Sequence, residues 1–196
     1  MTARAGESIV FRGYRDEVWT ALQRAMNEGG AWDGRAVRVH HPPFVVTIDI
    51  NAQLAGYASE VETRLRAAFP NPRTIRFRMV RQAWKSRLAQ HLGLHDVEVG
   101  DAAFDAAFWI RAHDAEAVRR LLSDPELRDG LVRSPAWLVE VRDDDGWFGQ
   151  EFPAGVDMLL LEAPGRVTDP EAIGTMYDAM ARLLDGLARE DAEAAE

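Results

Sequence analysis

Residues 100–127 read GDAAFDAAFWIRAHDAEAVRRLLSDPEL, and this stretch decides the fold. A short apolar strand over 108–112 runs into two helices, each with its own start signal. Asp114 precedes the helix that carries Val118, Leu121 and Leu122, where a short carboxylate can accept the free amides of a first turn. Ser123 or Asp124, with Pro125 in the first turn, opens the next helix and turns Leu127 and Leu131 inward. No nucleophile, metal cluster or phosphate loop interrupts the run, so its pattern is architectural rather than chemical.

Working outward, Val37 and Val39 alternate with Arg38 and His40, a period of two that predicts a half-buried strand before Pro42 and Pro43. Residues 44–50, 61–67 and 74–80 read as further strands. In the last of these Ile75, Phe77 and Met79 share one face, and Arg76 and Arg78 share the other. Such alternation favours an antiparallel sheet with one wet side. Residues 137–141 and 156–162 add two strands, with Asp145-Gly146 as a turn between them. Helical spacing marks 14–28, with Tyr14, Val18, Leu22 and Ala25 on one stripe, and a short helix over 84–92 closed by Gly93.

The clearest helix starts at Thr168-Asp169-Pro170-Glu171 and carries Ile173, Met176, Tyr177, Met180, Leu183, Leu184 and Leu187. The expected fold is α+β: a largely antiparallel sheet covered on one face by an N-terminal helix, a central helix pair and a long C-terminal helix. Residues 1–189 read as a single domain, and 190–196 as an acidic tail that frays.

At 196 residues, 47% hydrophobic and 28% charged, the chain has an ordinary globular balance and can bury a core without staples. The absence of cysteine excludes disulfides, thiolate metal sites and cysteine nucleophiles. No apolar run approaches the roughly 18 residues that span a bilayer, and the first residues lack the apolar stretch of a secretory signal. The chain therefore reads as cytoplasmic, without a transmembrane segment. Its net charge of -9 is unevenly spread: residues 1–95 hold 14 Lys and Arg against 8 Asp and Glu, whereas 96–196 hold 9 against 24. The acidic total argues against general nucleic-acid binding, which needs a basic surface to release counterions.

Gly100, Asp101, Phe104, Asp105 and Phe108 with the two capped helices after them, together with GWF at 146–148 and FPAGVD at 152–157, resemble a bacterial domain family of unknown function with a Phe-Asp-x-x-Phe core motif. The similarity covers roughly residues 57–189, about the length of one domain. Members include soluble hypothetical proteins and some with added membrane segments. The resemblance implies a fold and brings no catalytic residues with it.

Several groups are candidates for chemistry. Arg64, Arg66, Arg76 and Arg78 on two neighbouring strands, near Lys85 and Arg87, form an anion or partner surface, because guanidinium offers a bidentate fork to phosphate or carboxylate. The alternative is a solvated face paired with Glu60 and Glu62, or a contact with the acidic half. Trp147 and Phe148 at the 145–146 turn are a partner loop or tuck back into the sheet. His40 and His41 before the prolines either place an imidazole at a sheet edge, with Asp49 as an orienting carboxylate, or simply belong to a two-strand turn capped by Pro42 and Pro43, the simpler account.

His91 and His95 stand four apart, but Gly93 lies between them and no third metal ligand follows. Asp143, Asp144 and Asp145 fail calcium-loop spacing and read as a hairpin turn. No catalytic residue, metal or cofactor is assigned. The expected function is a non-catalytic binding or interaction domain, with a protein partner or a second copy of the chain. The alternative is a small-molecule-binding protein or enzyme, with a pocket between the sheet and the C-terminal helix lined by Met176, Tyr177 and Met180.

Overall fold

Period-two alternation builds most of the molecule. In the computed structural model, which describes residues 11–14, 17, 36–55, 58–87, 95–144, 149 and 151–193, nine strands form one sheet. They are β1 (Phe11–Tyr14), β2 (Val37–His41), β3 (Phe44–Ala55), β4 (Ala58–Pro70), β5 (Phe77–Arg81), β6 (His95–Val97), β7 (Phe108–Ala112), β8 (Leu138–Arg142) and β9 (Val156–Pro164). Their order is β1-β2-β3-β4-β9-β8-β5-β7-β6. Only β1 and β2 pair in parallel; every other neighbouring pair is antiparallel. Four α-helices are described: α1 (Ala102–Ala107), α2 (Ala115–Leu121), α3 (Pro125–Arg133) and α4 (Pro170–Glu193). The protein is thus α+β with a mostly antiparallel sheet and a long C-terminal helix.

Register divides the sheet residues into two sets. Val46, Ile48, Leu65, Ala67, Leu159, Leu161, Val139, Met79 and Ile110 lie on one face. They belong to one buried cluster with Phe104 of α1, Val118 and Leu121 of α2, Leu127 and Leu131 of α3, and the Ile173-to-Leu187 stripe of α4. Each such Leu, Ile or Met contributes about 1.5–3 kcal/mol by leaving water. Residues of opposite parity form a smaller cluster of Val80, Leu138, Met158 and Leu160 with Trp137, against which Trp84, Trp109 and Phe152 pack.

Helix starts follow their caps. The carboxylate of Asp114 accepts the amides of Glu116 and Ala117, each at 3.0 Å, and the Ala117 bond foremost holds that carboxyl below its usual range. Asp124 accepts the amide of Glu126 at 2.9 Å, and Asp169 those of Glu171 and Ala172. The motif residues add α1, a helix absent from the sequence expectation. Asp101 caps it through Ala103 and Phe104, and Asp105 accepts the amides of Val99 at 2.9 Å and Gly100 at 3.0 Å. Phe104 and Phe108 rings meet at 5.0 Å in the core. Those positions therefore fold the chain, which accounts for a motif without reactive groups.

Other expectations change. Tyr14 ends a strand instead of starting a helix, and the rest of the 14–28 segment lies outside the described residues except Glu17. The strand expected from Thr74 starts at Phe77, because Thr74 takes a positive φ of 56° in a loop pinned by Asn71. The helix expected over 84–92 is a 3-10 segment, Gln82–Arg87, and 88–94 lie outside the described residues.

The chain does not fray from Glu190: α4 continues to Glu193, and Glu190 is buried. Its carboxylate receives Arg73 Nη1 at 3.2 Å and Arg120 Nη2 at 2.8 Å. Opposite charges brought from a loop and from α2 thus hold an acidic terminus that composition alone reads as loose.

Candidate functional site

The arginine set comes apart in the structure. Arg64 and Arg66 lie on β4, and Arg76 and Arg78 lie just before and within β5, but β9 and β8 separate those strands. Both β4 arginines close on Asp49 of β3: Arg64 Nε and Nη2 at 2.9 and 3.1 Å, and Arg66 Nη2 at 3.0 Å. Arg76 donates to Asp157 through Nε at 3.0 Å and Nη2 at 3.1 Å, and reaches Asp143 at 3.2 Å. These bonds to Asp157 foremost raise its guanidinium above the usual value. Arg78 Nη1 is 3.5 Å from Glu140 of β8. The carboxylates come from strands β3, β8 and β9, which no local spacing in the sequence connects to these arginines.

Lys85 and Arg87 fall in the 3-10 segment, with side chains outside the described residues. Trp147, Phe148 and the Asp145-Gly146 turn lie outside the described residues, as does His91. His95 sits in strand β6, so it does not share a helix face with His91. Among the described residues no group of three or more His, Asp and Glu could hold a metal ion. No described helix is long and apolar enough to cross a membrane.

A groove of about 770 Å³ runs along the outer flank of α4. Glu126, Asp129, Gly130 and Arg133 of α3 form one wall; Tyr14, His40 and His41 of the β1–β2 edge contribute to the other. Thr175, Tyr177, Asp178, Ala179, Ala181, Arg182 and Asp185 of α4 complete the lining. Gly130 leaves the wall low, since a Cβ there meets nothing nearer than Ala179 Cβ at 4.0 Å.

His41 lines this groove. Its Nε2 lies 2.9 Å from Asp185 Oδ1, so helix and sheet edge are joined across the cavity. Phe44 stacks on the imidazole at 6.3 Å between centroids, and the buried Tyr177 ring meets it edge-on at 6.5 Å. Tyr14, 61% exposed, tilts against His40 at 5.7 Å. The orienting carboxylate expected from Asp49 is supplied instead by Asp185, because Asp49 already serves Arg64 and Arg66. The apolar pocket of the alternative reading is not formed by these side chains: Met176 and Met180 are fully buried as packed core, and of that trio Tyr177 alone lines the groove.

Charge in the groove is predominantly negative. Glu126, Asp129, Asp178 and Asp185 face Arg133 and Arg182. Arg182 is already engaged by Glu126 and, at 3.3 Å, by Asp124. Thr175, the one aliphatic hydroxyl in the lining, donates to the Glu171 carbonyl at 3.0 Å and is committed to its own helix. The arrangement offers rings and carboxylates for contact, and no activated nucleophile among the described residues.

Compared with protein-family models, with curated proteins and with solved structures, the chain matches none.

Proposed function

We propose that this protein is a non-catalytic binding domain, and that its ligand or partner segment seats in the groove between α3, α4 and the β1–β2 edge. The observation that carries this reading is the His41–Asp185 bridge in the groove's lining, with the exposed Tyr14 ring against the neighbouring His40. It places the exposed Tyr14 ring and the edge of an imidazole beside an acidic rim. Such a surface favours a cationic group on a flat or slender stem, such as the guanidinium of an arginine side chain, by ring contact and Coulomb attraction together. A groove lined by both a sheet edge and a helix stands near the pocket expected beside the C-terminal helix, and away from the arginine strands first considered as the interaction surface. Membership in the bacterial Phe-Asp-x-x-Phe family is part of the same proposal, supported by the structural roles of Asp101, Phe104 and Asp105.

The test is fluorescence anisotropy of the full chain with labelled arginine-rich and glutamate-rich peptides. The arginine-rich peptide should bind, and Thr175→Trp, which fills the groove without changing charge, should weaken it at least tenfold. Equal binding of both peptides, or binding untouched by Thr175→Trp, overturns the proposal.

A further inference from the structure

Away from the groove, on the sheet face opposite α1–α4, one carboxyl is out of balance with its surroundings. Glu162 of β9 is only 8% exposed, with the charges of Glu62, Arg142, Arg64 and Glu140 acting on its carboxyl. Register sets it directly across from Arg64 on β4 and from Leu138 on β8. The cation that should meet it is held elsewhere. Asp49 receives Arg64 and Arg66 together, two guanidiniums on one carboxylate.

We infer that a proton on Glu162 decides which carboxylate Arg64 serves: with Glu162 protonated, Arg64 stays on Asp49, and when that proton leaves for solvent, Arg64 swings across β4 to Glu162 while Arg66 alone holds Asp49. In the second state each acid keeps an arginine that neighbours it, Arg66 on Asp49 and Arg64 on Glu162. No backbone movement is required, since Arg64 is already the cross-strand neighbour of both acids.

The surroundings set the proton's hold. Burial, then the nearby Glu62, push the Glu162 carboxyl up to about 7, against the opposing pull of Arg142 and Arg64; Glu140 adds a further upward push. Glu62 and Arg64 face it from β4, and Glu140 and Arg142 from β8. Glu140 lies 3.5 Å from Arg78 and 3.8 Å from Arg142, so the β8 cation is drawn toward its own strand. On the other face of β9, α4 presents apolar residues to the core. The exchange would move a lateral tie from β3–β4 to β4–β9 within the pH range of living cells.

The experiment is NMR of the full chain with labelled glutamate carboxyls and arginine side chains, between pH 5.5 and 8.5. The Glu162 carboxyl should titrate near 7, and the Arg64 Nε signal should shift with the same midpoint. In Glu162→Gln, which keeps the shape of the protonated acid, Arg64 should stay constant over that range. An Arg64 signal that ignores the Glu162 titration, or a Glu162 midpoint in the ordinary carboxylate range near 4–5, overturns the inference. Asp49→Asn gives a second arm, because releasing Arg64 should lower the Glu162 midpoint; an unchanged midpoint also counts against it.

Discussion

His41 Nε2 and Asp185 Oδ1, 144 positions apart in sequence, stand 2.9 Å apart and tie the end of β2 to the second half of α4. Asp185 is half exposed, with a side-chain exposure of 52%. Ion pairs in such positions contribute about 0–1 kcal/mol. Asp185→Ala should therefore leave the urea midpoint nearly unchanged while lowering affinity for an arginine-rich peptide about tenfold. A large loss of stability with unchanged binding would reassign the pair to holding the fold.

Glu162 predicts a pH dependence with a definite sign. Its carboxyl lies at about 7 in the folded chain against an ordinary 4.5, so the folded state binds the proton more tightly than the unfolded one. That stabilisation is fully present below 4.5 and is lost as pH rises through 7, a difference on the order of 3 kcal/mol. Urea unfolding at pH 5, 6, 7 and 8 should show the wild type losing stability relative to Glu162→Gln as pH increases. A constant difference between the two proteins would show that the carboxyl is not perturbed.

Gly186 marks where α4 touches α2. A Cβ at Gly186 would sit 2.5 Å from Leu121 Cδ1, closer than real contacts allow. Alanine gains about 1 kcal/mol of helix propensity over glycine, but forcing open a packed contact costs about 1–3 kcal/mol. Gly186→Ala is expected to be destabilising by about 1 kcal/mol. Combining it with Leu121→Ala should show favourable coupling in a double-mutant cycle. A more stable Gly186→Ala would mean that Leu121 simply rotates away.

Arg81 closes the end of α3. Its Nε donates to the Ala136 carbonyl at 2.9 Å, and its Nη2 donates to those of Val132 at 2.8 Å and Leu131 at 3.2 Å, with the guanidinium 4.9 Å above the Phe108 ring. Terminal helix carbonyls lack partners within the helix, and a planar fork serves several at once where an ammonium cannot. Arg81→Lys is expected to cost about 2 kcal/mol in chemical denaturation. Hydrogen exchange should quicken at the amides of α3 before any global change.

Local signals carried much of the architecture. The strand over 108–112 and the caps at Asp114 and Asp124 stand where the sequence puts them, because a cap needs only its own next three residues. Strand order was not legible: β9 enters between β4 and β8, and nothing within a strand of this kind encodes its neighbour. The site was obscured for the same reason. The imidazole of His41 was visible as a candidate, but its partner comes from a helix whose apolar stripe drew attention to the buried side. The arginine alternation was equally plain, yet Asp49, Asp157 and Glu140 meet those side chains only through non-local pairing.

The position of β9 also governs the order in which the protein can be completed. Synthesis delivers β1–β4 and then β5–β8 before residues 156–164 emerge, so β4 and β8 each wait with a row of unpaired amides and carbonyls. Open edges of this kind are templates for association between copies. The late strand is therefore a keystone: until it emerges, the nascent chain holds two partial sheets, and a stop codon between Arg142 and Val156 leaves both edges bare.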